Sequence, residues 1–294
     1  MSQHWSGQTG GTHWMQRALV RIIRRTDIRL IYGVMHLWLI WYILVRSNER
    51  HGAYRFHRHR GRNRFQAALD VYRSFYHFGK AIIDRFAAFA ERTFEVRVEN
   101  PELYYDRVHS DQGFIMLFSH VGNTEMAGYF LSTPEKRLHI LAYGAESSVV
   151  MANRAKVLER NNIDMIPVYP DDMSHIYRIN EVLQKGDVLA FAADRRIGDT
   201  TVPVTILGGE AKLPAGAFQI CVAMKQPVLL VFVIKESYKT YRVYCEQLEV
   251  NTALPKREQT QDLANRFAER IEAMVNQYPY QWFNFFDFWD ERNA

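Results

Sequence analysis

A chain of 294 residues that is 48% hydrophobic has ample material for a buried core, which excludes a disordered or low-complexity protein. The formal charge of +5 is unevenly spread, because residues 1–64 hold twelve Arg, no Lys and only Asp27 and Glu49 as acids, a balance of +10 that leaves −5 on the other 230 residues. Such a segment seeks an anionic surface, either a membrane or a nucleic acid.

The run Leu30 to Val45, LIYGVMHLWLIWYILV, decides between those two surfaces: nucleic acid has no use for it, and the aromatic content of 14% suits a lipid interface. Its sixteen residues make a helix of roughly 24 Å, short of a hydrocarbon core of about 30 Å. Arginines flank both ends, Arg24, Arg25 and Arg29 before it and Arg46, Arg50 and Arg55 after it, so the positive-inside rule gives no orientation. The expectation is a helix lying in the inner leaflet, with a buried core helix as the alternative. The first twelve residues lack a charged start, and no small-residue cleavage site follows the apolar run. No secretory signal is therefore expected, and the body should stay on the cytoplasmic side. His51, His57 and His59 sit among arginines without a nearby carboxylate or Cys and do not read as a metal site.

From Gln66 to Arg92, apolar residues recur every three or four positions, which predicts an amphipathic helix packed on the body. Beyond Asn100-Pro101 the pattern changes to short apolar runs at 114–118, 138–142, 163–168, 188–193 and 227–233, with helical stretches at 124–131, 147–160, 173–185 and 214–225 between them. That alternation predicts an α/β fold with a largely parallel central sheet flanked by helices, behind an N-terminal amphipathic or membrane-anchoring region. YRVYCEQLEV (241–250) reads as an edge strand, 257–277 as a polar helix, and the tail is dense in aromatics. The division expected is a membrane-associating region over 1–64 and a catalytic domain over 65–294. Cys221 and Cys245 have no metal or redox spacing and read as core residues.

Chemistry concentrates where the strand at 114–118 runs into Ser119-His120-Val121-Gly122-Asn123-Thr124-Glu125. His120 falls at the carboxyl end of a strand, the edge at which open α/β sheets bind ligands, and Gly122 lets the backbone turn and leaves room for a substrate. Asn123 or Thr124 can cap the following helix, placing Glu125 in its first turn. From there the carboxylate can fold back onto one imidazole nitrogen and leave the other as a base toward an incoming hydroxyl or amine. The alternative is a helix-capping His with a surface acid. No G-x-S-x-G elbow and no nucleotide-binding glycine motif occurs, which argues against α/β-hydrolases and nucleotide enzymes.

With His120 and Glu125 spaced as H-x-x-x-x-E, the chain resembles the lipid A biosynthesis acyltransferases, the lauroyl and myristoyl transferases of the lysophospholipid acyltransferase superfamily. Three further blocks match in order: MANRAKVLER with Arg154, Asp194-Arg195-Arg196 followed by VPVTILGGEAKLPAGA, and KQPVLLVFV with Pro227. Tyr278 to Phe283 looks like the family's closing P-x-Q-W-aromatic signature. The resemblance implies transfer of an acyl chain from an acyl carrier protein or coenzyme A thioester to an envelope lipid at the bacterial inner membrane, without metal or redox cofactor and without nucleic acid. It implies His120 as general base and Glu125 as its orienter. Asp194, Arg195 and Arg154 would lie near the headgroup side of the site, Gly208, Gly209 and Gly216 would allow close backbone approach to the acyl chain or its phosphate, and Gly122, Asn123 and Lys212 would complete the substrate-binding residues. Two departures bear on the acceptor: the segment after Asp194 lacks a Pro-Glu-Gly-Thr-like pattern, and the chain ends in DERNA rather than a basic stretch. A hydrolase using the same base on water and a noncatalytic membrane adaptor are the competing classes.

Overall fold

The computed structural model describes residues 13–143, 161–169, 174–195 and 200–289. Four helices come first: α1 (His13–Arg25), α2 (Ile28–Val45), α3 (Ser47–His59) and α4 (Arg64–Phe89). Asp27 caps α2 by accepting from the Arg29 amide at 2.8 Å, and Asn63 forms a capping box with Gln66 at the start of α4. The α/β part follows as β1 (Glu95–Glu99), α5 (Pro101–His109), β2 (Phe114–Gly122), a 3₁₀ turn (Thr124–Met126), α6 (Ala127–Phe130), β3 (Leu138–Tyr143) and β4 (Ile163–Val168). It continues with α7 (Ser174–Gln184), β5 (Val188–Ala192), β6 (Thr201–Ile206), β7 (Gly209–Pro214), α8 (Ala215–Met224), β8 (Val228–Lys235), β9 (Thr240–Leu248) and α9 (Lys256–Gln277).

Seven strands make one sheet in the order β1-β9-β8-β2-β5-β3-β4, all pairs parallel except β8 with β9. The central strands are apolar on both faces because helices cover both, so β2 and β8 read as unbroken hydrophobic runs. Ile115, Leu117, Leu189, Phe191, Leu230 and Phe232 point to the face covered by α7, α8 and α9. Phe114, Met116, Val188, Leu229 and Val231 point to the other face, under α5 and α6. β9 lies inside the sheet rather than at its edge, since β1 pairs alongside it. β1 reads EVRVE, and its alternating charges hide it from a search for apolar runs, although charged side chains are what an edge strand tolerates. β6 and β7 form a separate hairpin closed by Leu207 and Gly208, both at positive φ (53° and 74°), the geometry of a tight hairpin turn.

α2 is not a core helix. Ile28, Tyr32 and Leu39 are buried against α4, while Leu30, Val34, Leu37, Trp38, Trp41 and Leu44 are all more than half exposed on the opposite side, Leu37 at 76%. By length and composition α2 is apolar enough to cross a membrane. α3 behaves differently: Phe56 is buried in the main core against Trp282, and a Cβ on Gly52 would lie 2.7 Å from the Phe285 backbone. A boundary at residue 64 therefore passes through the contact between α3 and the tail, while α1 and α2 pack on α4 through Ile23, Ile28 and Tyr32.

Candidate active site

Adjacent parallel strands bring their carboxyl ends side by side, and here the register is explicit. Phe118 of β2 pairs with Ala192 of β5, so the residues two further along each chain, His120 and Asp194, meet above the sheet. His120 Nδ1 lies 2.6 Å from Asp194 Oδ1, and the His120 amide donates to Asp194 Oδ2 at 2.8 Å. Two further donors to that carboxylate come from the tail, Trp282 Nε1 at 3.2 Å and Asn284 Nδ2 at 2.8 Å. The aromatic tail is thus the back wall of the site. It is stitched to β2 by Phe283 N to His120 O (2.9 Å) and Gly122 N to Gln281 O (2.7 Å).

The Asp194 side chain is fully buried and the His120 side chain 26% exposed. Burial alone would raise the Asp194 pKa, but the His120 imidazole and the Arg195 guanidinium beside it, together with the hydrogen bonds, hold it at about 2. The acid is therefore ionised and can only accept, which fixes the proton of neutral His120 on Nδ1 and leaves Nε2 as the basic atom. Desolvation, and then the nearby Arg195 cation, keep the His120 pKa below its ordinary 6.5, against the opposing pull of Asp194 and Glu125. A neutral imidazole at neutral pH is the result.

Glu125 does not supply the hydrogen bond to Nδ1. Its two carboxylate oxygens each lie 3.0 Å from Arg85 Nη1 on α4. The reason is the turn: Gly122 adopts φ 81°, Asn123 anchors its side chain to Ala81 O (3.2 Å) and Tyr241 Oη (3.1 Å), and the following 3₁₀ turn carries Glu125 toward α4. Glu125 remains close enough for its charge to favour the imidazolium. Arg85, which sequence reasoning missed, is a partly buried helix residue with no motif around it, and only the fold shows what it meets.

The remaining expected site residues divide between scaffold and other parts of the fold. Asn123 is a buried brace rather than a helix cap. Gly122 is required by the backbone itself, since a Cβ there would fall 2.2 Å from the Val233 carbonyl oxygen. Asp194 stands behind the imidazole, and Arg195 donates to Asn284 Oδ1 and the Phe283 carbonyl, both at 2.7 Å, which ties down the tail. Gly208 turns the β6–β7 hairpin, and Gly209 makes its close approach to Trp289 and His59. Lys212 is exposed on β7 and Gly216 opens α8 with free space around it. No described contact brings these four to His120. Arg154 and the helix expected at 147–160 lie outside the described residues. Of the three histidines in the basic segment, His57 is buried with Nε2 2.9 Å from Ser74 Oγ and His59 stacks on Trp289.

The sequence model of the family described as bacterial lipid A biosynthesis acyltransferase matches residues 71–290, a span that contains His120, Glu125, Asp194 and the Gln281–Asn284 tail. No curated protein matches the chain. The match covers well over half of the sequence, and the chain belongs to that family.

Proposed function

We propose that this member of the lipid A biosynthesis acyltransferase family moves a fatty acyl group from an acyl carrier protein or coenzyme A thioester to a hydroxyl or amine of an envelope lipid, with His120 as general base. The observation that carries the reading is the 2.6 Å contact from a buried, ionised Asp194 to Nδ1, which commits Nε2 to proton abstraction. In the forward step Nε2 takes the proton of the acceptor hydroxyl as its oxygen attacks the thioester carbonyl. The C–S bond then breaks and the departing thiolate recovers that proton from the imidazolium. Asp194 orients the ring and offsets the transient positive charge, and Glu125, held by Arg85, adds a second negative charge nearby. The nucleophile comes from the acceptor, so the chain needs to supply no serine or cysteine. No metal or redox chemistry enters this scheme.

The membrane part of the proposal places the body at the cytoplasmic side of the inner membrane, with α2 in the interface. Its support is the exposed apolar stripe from Leu30 to Val45, bordered by arginines at both ends. Residues 1–64 are taken as the membrane-associating region, with α3 serving as its link to the catalytic domain.

The experiment is acyl transfer by purified full-length protein, with an acyl-carrier-protein thioester as donor and a lipid A precursor as acceptor, read by mass spectrometry. His120→Ala and Asp194→Asn are expected to lower product formation by about 10³-fold or more while the protein stays folded. Undiminished transfer by His120→Ala would sink the base assignment. Free fatty acid in place of acylated lipid would make the protein a hydrolase.

A further inference from the structure

A second buried charged group lies near the turn that bears His120, and the chemistry above does not use it. Asp84 on α4 is fully buried and its carboxylate accepts from three elements at once: Tyr32 Oη of α2 on Oδ1, and Tyr241 Oη of β9 and Lys235 Nζ of β8 on Oδ2, the last at 2.6 Å. Burial works against both charges, raising the Asp84 pKa and lowering that of Lys235, and each group's charge opposes the shift of the other. A buried ion pair is generally no more stabilising than apolar residues of the same volume. What it adds is the requirement that particular atoms meet.

Here the atoms that meet lead toward the catalytic turn. Lys235 ends β8, and both its amide and its carbonyl are clasped by the Gln281 carboxamide at 3.0 Å. Gln281 O in turn accepts from Gly122 N at 2.7 Å. By a second path, Tyr241 Oη accepts from Asn123 Nδ2 at 3.1 Å. On the other side the link is Tyr32, on the buried face of the helix whose opposite face is apolar and exposed. Resting on the reading of His120 as the base, we propose that Asp84 is a positioning residue for acyl transfer, joining the lipid-facing helix through Tyr32 to the turn that carries His120 through Lys235 and Tyr241. The orientation of the imidazole then depends on α2 being seated.

Tyr32→Phe in the full-length protein removes one hydroxyl from one arm and leaves Lys235 and Tyr241 on Asp84. The expected result is a kcat lower by about tenfold, with both KM values within about twofold of wild type. Vesicle binding should hardly move, and the melting temperature should fall by only about a few degrees, leaving the protein folded at the assay temperature. The downfield Nδ1 proton resonance of His120, identified by its loss in His120→Ala, should shift. Wild-type kcat in Tyr32→Phe would overturn the proposal, and so would a loss of activity that merely follows the folded fraction with the resonance unmoved. Tyr241→Phe cuts the arm to Asn123 instead and is read by the same criteria, which keeps the test decisive where Tyr32→Phe yields little folded protein. If His120→Ala remains active, the base assignment has failed. If it is inactive while Tyr32→Phe behaves as wild type, only the role of Asp84 has failed.

Discussion

Glu125 and Asp194 both act on the His120 imidazole, but by different means. Asp194 touches Nδ1 and sets the tautomer, whereas Glu125 is engaged by Arg85 and contributes through space. The two roles separate in a pH profile. Because the folded-state pKa of His120 lies below 6.5, its imidazole is already neutral at neutral pH, and with His120 as the proposed base wild-type kcat/KM should fall only as pH drops through that lower value. Removing the Glu125 charge favours neutral imidazole further, so Glu125→Gln should move the acid limb to still lower pH, with a rate loss smaller than that of Asp194→Asn. A limb that stays put would mean that Glu125 has no electrostatic hold on the base. His120 was legible from its place at a strand end, and the acid five residues on was the natural partner to choose. Asp194 was recognisable as a site residue, yet its place behind the ring follows from the pairing of β2 with β5, which no local pattern reveals. The cation that holds Glu125 lies forty residues earlier in sequence, on α4.

At the level of elements, β2 does more than pack: its last residues must leave the sheet without losing contact with β8. Gly122 manages this at φ 81° with its Cα pressed toward the Val233 carbonyl, while the next amide, that of Asn123, donates to the same oxygen at 2.7 Å. Gly122→Ala combines an unfavourable backbone region with a contact to main chain that cannot rotate away, and should cost roughly 2–4 kcal/mol. Thermal denaturation should show a clear drop for Gly122→Ala and little change for Gly216→Ala, where a new methyl group meets open space. Equal melting temperatures for the two variants would remove the argument for a strained turn. The apolar runs gave five strands within about two residues at most ends, because a buried parallel sheet writes itself as continuous hydrophobic sequence. β1 escaped for the opposite reason, having charged alternate residues at the sheet edge, and its pairing turned the expected edge strand β9 into an interior one. The 3₁₀ turn and the short α6 replace the single helix expected at 124–131, since Asn123 spends its side chain on Ala81 and Tyr241 and leaves that helix uncapped.

For the molecule as a whole, the question is which surface meets lipid. An α/β body with mildly acidic charge has no reason to seek a membrane by itself, so the burden falls on α2 and the arginines around it. Leu37, Trp38 and Trp41 lie on the exposed stripe at 76%, 65% and 54%, and the opposite side of the same helix is held to α4 by Tyr32, His36 and Leu39. Changing the outer residues should therefore leave the fold intact. Half-burying a large apolar side chain in the interface is worth about 1 kcal/mol, so Leu37→Ser, Trp38→Ser and Trp41→Ser together should weaken binding to vesicles of mixed zwitterionic and anionic lipid by about 100-fold. Raising the salt concentration should weaken the wild-type protein as well, because the arginines act through charge, but it should act on the triple variant in the same proportion, since the apolar stripe is insensitive to screening. Cosedimentation with vesicles measures both effects. A triple variant that binds as tightly as wild type would move the membrane contact off this helix. It would also take away the reason for tying α2 to the turn that carries His120, because the seating of a helix that never meets lipid carries no information about the substrate's location.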